Sequence, residues 1–256
     1  MQHEFFPVQV PTWCRSLTPP SVPTNELHVW RANLDQPEPV IKALGQSLSK
    51  DERAKTERFR FEQHRQRAIA SRGILRALLS QYLDLAPDQI QFRYEATGKP
   101  GLRQAEWPAI AFNVSHSQNL ALYAITTNIL VGIDVEARRS LSMFPQLVQN
   151  YFSLAEQRII LAPSHEAQEH RFYYFWTAKE ALTKATGRGI TDLAKVEITI
   201  QSERIQGHYD RLPPATNWHI VWMEPYPGFA ATVAYATLEQ RQLLFLDWEM
   251  HGSVTF

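Results

Sequence analysis

The chain is poor in cysteine, in charge imbalance and in long apolar runs, and each lack removes a class of protein. One cysteine, Cys14, in 256 residues excludes an intrachain disulfide framework and any multi-cysteine zinc site, and fits a reducing compartment. Twenty-six Lys plus Arg balance 26 Asp plus Glu, so the basic excess of a general nucleic-acid binder is missing. The longest apolar stretches, Leu120–Ile125 and Ile129–Ile133, fall far short of the roughly 18 residues that cross a bilayer. Met1 to Pro11 holds neither a basic n-region nor an uninterrupted apolar core. The expectation is a soluble, cytoplasmic protein with no nucleic-acid or membrane partner. Also absent are a Walker A loop, a strand-linked G-x-G-x-x-G, a helical His-x-x-x-His pair and a G-x-S-x-G nucleophile elbow.

What is present is 44% hydrophobic residue content, enough for one large domain or two of roughly 100–150 residues. Residues 1–25 hold Pro7, Pro11, Pro19, Pro20 and Pro23 and read as an extended arm, ordered where Phe5, Phe6 or Trp13 finds a groove. Leu27–Leu34 alternates as a strand does, and Ser49 to Leu83 is helical. That block opens on the capping-box pair Ser49 and Glu52. Ala111–Ile125 reads as two strands, and Ile129–Glu136 as a third. A second helical block, Ser153 to Thr186, breaks near Pro163. Strands are expected at Val196–Gln201, Trp218–Met223, Phe229–Ala236 and Leu243–Trp248.

This order hints at duplication. Glu62-Gln63-His64-Arg65 is echoed by Gln168-Glu169-His170-Arg171, and Ser49/Glu52 by Ser153/Glu156. The organisation expected is α+β, a pseudo-dimer of two similar halves, each a small, mainly antiparallel sheet packed with a long helix. The halves are 26–128, carrying a basic helix, and 129–256, carrying the carboxylates.

Three constellations carry chemistry. Val131-Gly132-Ile133-Asp134-Val135-Glu136 ends in two carboxylates at i and i+2, on one strand face. Such a pair repels unless one protonates or a cation intervenes, and all-oxygen ligation suits Mg²⁺. A solvated acidic turn beside Arg138 and Arg139 is the plainer reading. In Trp176-Thr177-Ala178-Lys179-Glu180-Ala181-Leu182-Thr183-Lys184, residues Trp176, Glu180 and Lys184 share a helical face and Lys179 is rotated by about 100°. An exposed Glu–Lys pair would give the same spacing. Between Lys50 and Arg76, nine Lys or Arg face four acids. That one-signed run is either a solvated face or a site for a small polyanion such as a nucleotide. Gly98-Lys99-Pro100 presents a Lys in a turn, and Asn113-Val114-Ser115-His116-Ser117 offers small donors and an imidazole.

Taken together in this order, these segments resemble the phosphopantetheinyl transferases, specifically the larger surfactin-synthetase-activator type. The resemblance spans about Lys50 to Gly189. It implies Mg²⁺-dependent transfer of 4′-phosphopantetheine from coenzyme A to a serine of an apo acyl or peptidyl carrier protein, releasing 3′,5′-ADP. It further implies that Asp134, Glu136 and Glu180 hold Mg²⁺, with Mn²⁺ as a substitute. Glu180, Lys184 and Asp134 would be catalytic, with Glu180 the general base and Lys184 on the diphosphate. Arg53, Lys55, Arg65, Lys99, Ser115, His116, Lys179 and Lys184 would contact coenzyme A in a monomer built as a pseudo-dimer. Glu52 and Gln66 stand where some relatives carry Lys and Thr. The alternatives are a Mg²⁺-dependent hydrolase of nucleotide diphosphates and a non-catalytic protein that binds coenzyme A or a carrier.

Overall fold

Alternating apolar residues lay down two sheets, and two long helices cover their outer faces. The computed structural model describes residues 7–15, 24–103, 109–162, 165–201, 204–208 and 217–250. In chain order the first half comprises β1 (Val8–Gln9), β2 (Cys14–Arg15), β3 (Glu26–Asn33), α1 (Glu38–Gln46), α2 (Lys50–Glu57) and α3 (Glu62–Leu83), then β4 (Phe92–Tyr94), β5 (Pro100–Leu102), β6 (Ile110–Ser117) and β7 (Leu120–Thr127). The second comprises β8 (Val131–Ala137), α4 (Phe144–Tyr151), α5 (Leu154–Leu161), α6 (His165–Ala185), β9 (Glu197–Gln201), β10 (Arg204–His208), β11 (Trp218–Met223), β12 (Phe229–Ala236) and β13 (Gln242–Asp247).

From β3 to β7 and from β8 to β12 the order of elements is the same, so the expected two-halved α+β organisation is what the chain adopts. The two main sheets run β2-β13-β3-β7-β6 and β1-β11-β12-β8, and β4-β5 and β9-β10 form separate two-stranded ribbons. Leu27, Val29, Leu122 and Ala124 from one sheet meet Ile133, Val135, Val233 and Tyr235 from the other in a shared inner core. Outside, α3 packs Ile74, Leu75 and Leu78 on the first sheet, and α6 packs Phe175, Ala178 and Leu182 on the second.

Each half is pinned by the same device. Ser49 and Glu52 form a capping box at α2, and Ser153 and Glu156 form one at α5. In the first half the buried Glu52 carboxylate pairs with Arg76 of α3 at 2.8 Å. Arg76 also donates to the carbonyls of Pro87 and Ile90. In the second, buried Glu156 pairs with Lys179 of α6 at 2.8 Å, and Lys179 donates to the carbonyls of Leu193 and Val196. One buried cation thus ties a short helix, a long helix and the turn that follows it, in both halves.

The chain ends cross over. β13 lies beside β3 and β1 beside β11, both parallel. By chain position β1 lies in the arm of residues 1–25 and β13 in the half 129–256; β1 hydrogen-bonds to the second sheet and β13 to the first. Trp13 reaches a groove, edge-on to Phe245 at 5.4 Å with the Arg31 guanidinium 4.4 Å above it. Phe5 and Phe6 lie outside the described residues, as does Pro163 between α5 and α6. The single helix expected over Ser49–Leu83 is two helices, because Arg58 and Phe59 close α2 with i to i−3 bonds to Lys55 and Thr56.

Gly132 permits the closest backbone approach among the described glycines. A Cβ there would stand 1.9 Å from the Ala181 carbonyl oxygen and 2.6 Å from the Ala185 nitrogen, both α6 backbone atoms. Gly132→Ala is expected to destabilise the protein by about 3 kcal/mol, read as a lowered midpoint in urea unfolding. An unchanged midpoint would show that α6 can retreat freely.

Candidate active site

The contact of Gly132 with α6 decides which side chains meet. Along β8, Val131, Ile133, Val135 and Ala137 point into the inner core, so Gly132, Asp134 and Glu136 face the α6 side. The neighbouring β12 residues on that side are the small, buried Ala230, Thr232 and Ala234. Their size lets α6 lie flat, and Thr177 of α6 bonds Thr232 hydroxyl to hydroxyl at 2.7 Å. Glu180 and Lys184 follow on the same helix, next to Asp134 and Glu136.

Asp134 is 3% exposed. Its Oδ1 accepts from Lys184 Nζ at 2.5 Å and from Ser115 Oγ at 2.8 Å. Its Oδ2 is buried without a hydrogen-bond partner. Glu136 accepts from Ser117 Oγ at 3.0 Å, and its carboxyl titrates above the usual range because it is buried and close to Asp134. Burial, followed by the charge of Asp134, pushes Glu180 up to about 7. The Asp134 charge therefore opposes ionisation of both Glu136 and Glu180, with the Lys184 ammonium to offset it. Among the described residues no three His, Cys, Asp or Glu side chains converge tightly enough to cage an ion as they stand. Nevertheless, the donor set is all oxygen, and an orphaned buried carboxylate oxygen is a costly group that a hard cation would satisfy. The residues present fit Mg²⁺.

Beside this cluster is a cavity of about 300 Å³ lined by Lys55, Thr56, Phe59, Arg72, Val114 and His116, among others. Val114 and His116 alternate with Ser115 on β6, so one strand serves the cavity with one face and the carboxylates with the other. The His116 imidazole is held below its ordinary pKa by burial and by the nearby Lys184 ammonium. It links the two regions.

The structure thus brings together Ser115, His116, Asp134, Glu136, Glu180 and Lys184, with Lys55 on the cavity wall. Other expected contacts are engaged elsewhere. Lys99 donates to the Ala185 carbonyl at the end of α6, at 3.0 Å, and to Val131 at 3.5 Å. Arg53 holds the carbonyls of Leu48 and Gln46 at the end of α1. Arg65 pairs with Glu62 one turn away on α3. Lys179 departs most from expectation: its side chain is 1% exposed and its ammonium is taken up by Glu156 and by the Tyr151 and Val196 carbonyls. It is a core cation, out of reach of a ligand. The basic run is likewise partly committed within the protein, since Arg76 is buried on Glu52 and Arg67 pairs with Asp35 at the surface. Glu52 is the acid that pairs with Arg76. Sequence reasoning missed Arg72 as a cavity residue and Ser117 as a carboxylate partner. The alternation of 113, 115 and 117 was the available signal for Ser117.

Residues 130–234 match the family model described as the 4′-phosphopantetheinyl transferase superfamily, and residues 30–128 match the one described as 4′-phosphopantetheinyl transferase, N-terminal. The two matches meet between β7 and β8. The chain is 40% identical over 215 residues to the 4′-phosphopantetheinyl transferase HetI of a Nostoc species, covering 83% of this chain and 89% of that one. It is 28% identical over 195 residues to the 4′-phosphopantetheinyl transferase Sfp of Bacillus subtilis, covering 74% and 82%. With psf-1 of Bacillus pumilus, a protein of the same description, identity is 34% over 151 residues, covering 59% and 63%. The chain belongs to the 4′-phosphopantetheinyl transferase superfamily, and its reaction class is transfer of that group. No helix among the described residues is long and apolar enough to cross a membrane.

Lys179→Met should cost about 3–5 kcal/mol of folding stability, since it leaves the Glu156 carboxylate buried and unpaired. Adding Glu156→Gln should recover much of that loss. The KM for coenzyme A of folded Lys179→Met should match the parent, and a raised KM with normal stability would return Lys179 to the binding site.

Proposed function

We propose that the β6–β8–α6 junction transfers the 4′-phosphopantetheine group of coenzyme A to a serine hydroxyl of an apo acyl or peptidyl carrier protein, in a monomer that uses Mg²⁺. The observation that carries this reading is Asp134, with Lys184 on one oxygen, an orphaned buried oxygen on the other, and Glu136 and Glu180 alongside. Asp134, Glu136 and Glu180 are the residues that would hold the cation. When bound, a divalent cation neutralises diphosphate charge and polarises the phosphoryl centre.

The serine oxygen forms a bond to the phosphorus that bears pantetheine, and the bond from that phosphorus to the bridging oxygen breaks. The bridging oxygen leaves on 3′,5′-ADP. Glu180 is the carboxylate placed to take the serine proton, directly or through a water. Lys184 stabilises the charge that develops on the departing diphosphate oxygen. The cavity beside them supplies Lys55 and Arg72 toward the nucleotide end, where fixed cations lower the cost of gathering phosphates, and His116 adds a polar ring nitrogen. Arg53 and Arg65 would have to leave their present partners to join them.

Mass spectrometry of an apo carrier incubated with the protein, coenzyme A and Mg²⁺ tests this reading. The carrier should gain the mass of one phosphopantetheine group. Cleavage of coenzyme A with no carrier present would instead make the protein a hydrolase, and an unmodified carrier with intact coenzyme A would leave only a binder. Asp134→Asn should abolish transfer while the thermal unfolding midpoint stays near the parent's. Lys55→Ala should raise KM for coenzyme A roughly ten-fold with kcat little changed, the scale of one charge-assisted contact shared by ground and transition states. A fall in kcat at constant KM would contradict that assignment.

A further inference from the structure

Strand β8 pairs with β12 along one edge only, which leaves the backbone N–H groups of Ile133, Val135 and Ala137 facing away from its sheet. Buried donors of this kind need partners. They find them on β6, the edge strand of the other sheet, and the acceptors are side chains. Asn113 Oδ1 accepts from Ile133 N at 2.8 Å, Ser115 Oγ from Val135 N at 3.3 Å, and Ser117 Oγ from Ala137 N at 3.1 Å. Every second residue of one strand repeats at about 6.7 Å, and so does every second N–H of the other, so the two rows stay in step. Asn113, Ser115 and Ser117 stand in for the carbonyls of a missing strand.

The residue types in this ladder follow the residues they face. A hydroxyl carries one proton and two lone pairs, so it can accept from an N–H and still donate. Ser115 gives its proton to Asp134 Oδ1, and Ser117 gives its proton to Glu136 Oε2. Asn113 sits across from Gly132, where there is no carboxylate, and an amide acceptor suffices. Each serine therefore clamps one oxygen of a carboxylate against a backbone atom of the same strand. For Asp134 the other oxygen is left bare.

We propose that Ser117, with Ser115, is a positioning residue: it fixes the carboxylate of its partner strand so that the free oxygen faces the cation. This rests on the metal reading of Asp134, Glu136 and Glu180 given above. It also means that docking of the first sheet against the second sets the ligand geometry, since the hydroxyls belong to one half and the carboxylates to the other.

Mn²⁺ binding to the full chain, with coenzyme A present and no carrier, tests the proposal through the electron paramagnetic resonance signal of free Mn²⁺. Ser117→Ala should weaken Mn²⁺ binding by roughly ten-fold, the usual cost of removing a group that orients a ligand. Ser117→Thr, which keeps the hydroxyl, should restore binding to within about two-fold of the parent. In a Glu136→Gln background, Ser117→Ala should add little, because the serine acts through that carboxylate. Thermal melts of each variant identify any that fail to fold, and the threonine variant then carries the comparison. Parent-like binding by folded Ser117→Ala, or an equal loss in both backgrounds, overturns the positioning role alone. Mn²⁺ binding indifferent to Glu136→Gln and Asp134→Asn removes the metal reading, and the proposal with it.

Discussion

Helix α6 lies so close to β8 that a single methyl group at Gly132 would overlap its backbone. The arrangement of the site follows from that contact. Because the helix is pressed onto the strand there, Glu180 and Lys184 come within reach of Asp134, and the Lys184–Asp134 pair closes at 2.5 Å. Because β8 is an edge strand, β6 can dock beside it and bring Ser115 and Ser117 to the same carboxylates. The other face of β6 then turns His116 toward the cavity. Close backbone packing, rather than any one charged residue, makes carboxylates, cation and pocket neighbours.

The two halves share one scaffold and differ in what they hold between strand and long helix. In both halves a capping-box glutamate and a buried cation lock the long helix. In the second half the space between strand and helix then holds Asp134, Glu136, Glu180 and Lys184. In the first half the corresponding space between β3 and α3 holds His28, Trp30 and Tyr82, joined through the Tyr82 hydroxyl at 2.7 and 2.8 Å. Burial holds His28 below its ordinary pKa, and its other ring nitrogen meets the Glu26 carboxylate at 3.0 Å, so both nitrogens of the imidazole are partnered. The same framework accommodates a satisfied polar core on one side and an unsatisfied, charged cluster on the other. An unsatisfied buried oxygen is expensive to keep, and it sits where the proposed chemistry needs it.

Much of this was legible from the chain. Alternation gave the strands at Trp218–Met223 and Phe229–Ala236, and the i, i+2 spacing of Asp134 and Glu136 put both on one face. Repeated capping boxes foretold the duplication. What the pattern could not show was which charges are internal. Lys179 and Arg76 lie in stretches rich in charge, and only the packing reveals that each is consumed by a glutamate more than 20 residues away. Periodicity is equally silent on strand exchange at the chain ends, because β1 and β13 pair with residues distant in sequence. The two-residue strands and the side-chain ladder lie below any local signal, since a serine that replaces a carbonyl looks like any other serine.

In the proposed reading both halves of the chain converge on one cation at the β6–β8–α6 junction. Crystals grown with Mn²⁺ and coenzyme A, measured near the manganese absorption edge, address it directly through anomalous scattering. A single strong anomalous peak is expected among the carboxylates of Asp134, Glu136 and Glu180, with the diphosphate against it. A peak bound elsewhere, or coenzyme A seated in the cavity with no metal among those three carboxylates, would contradict it.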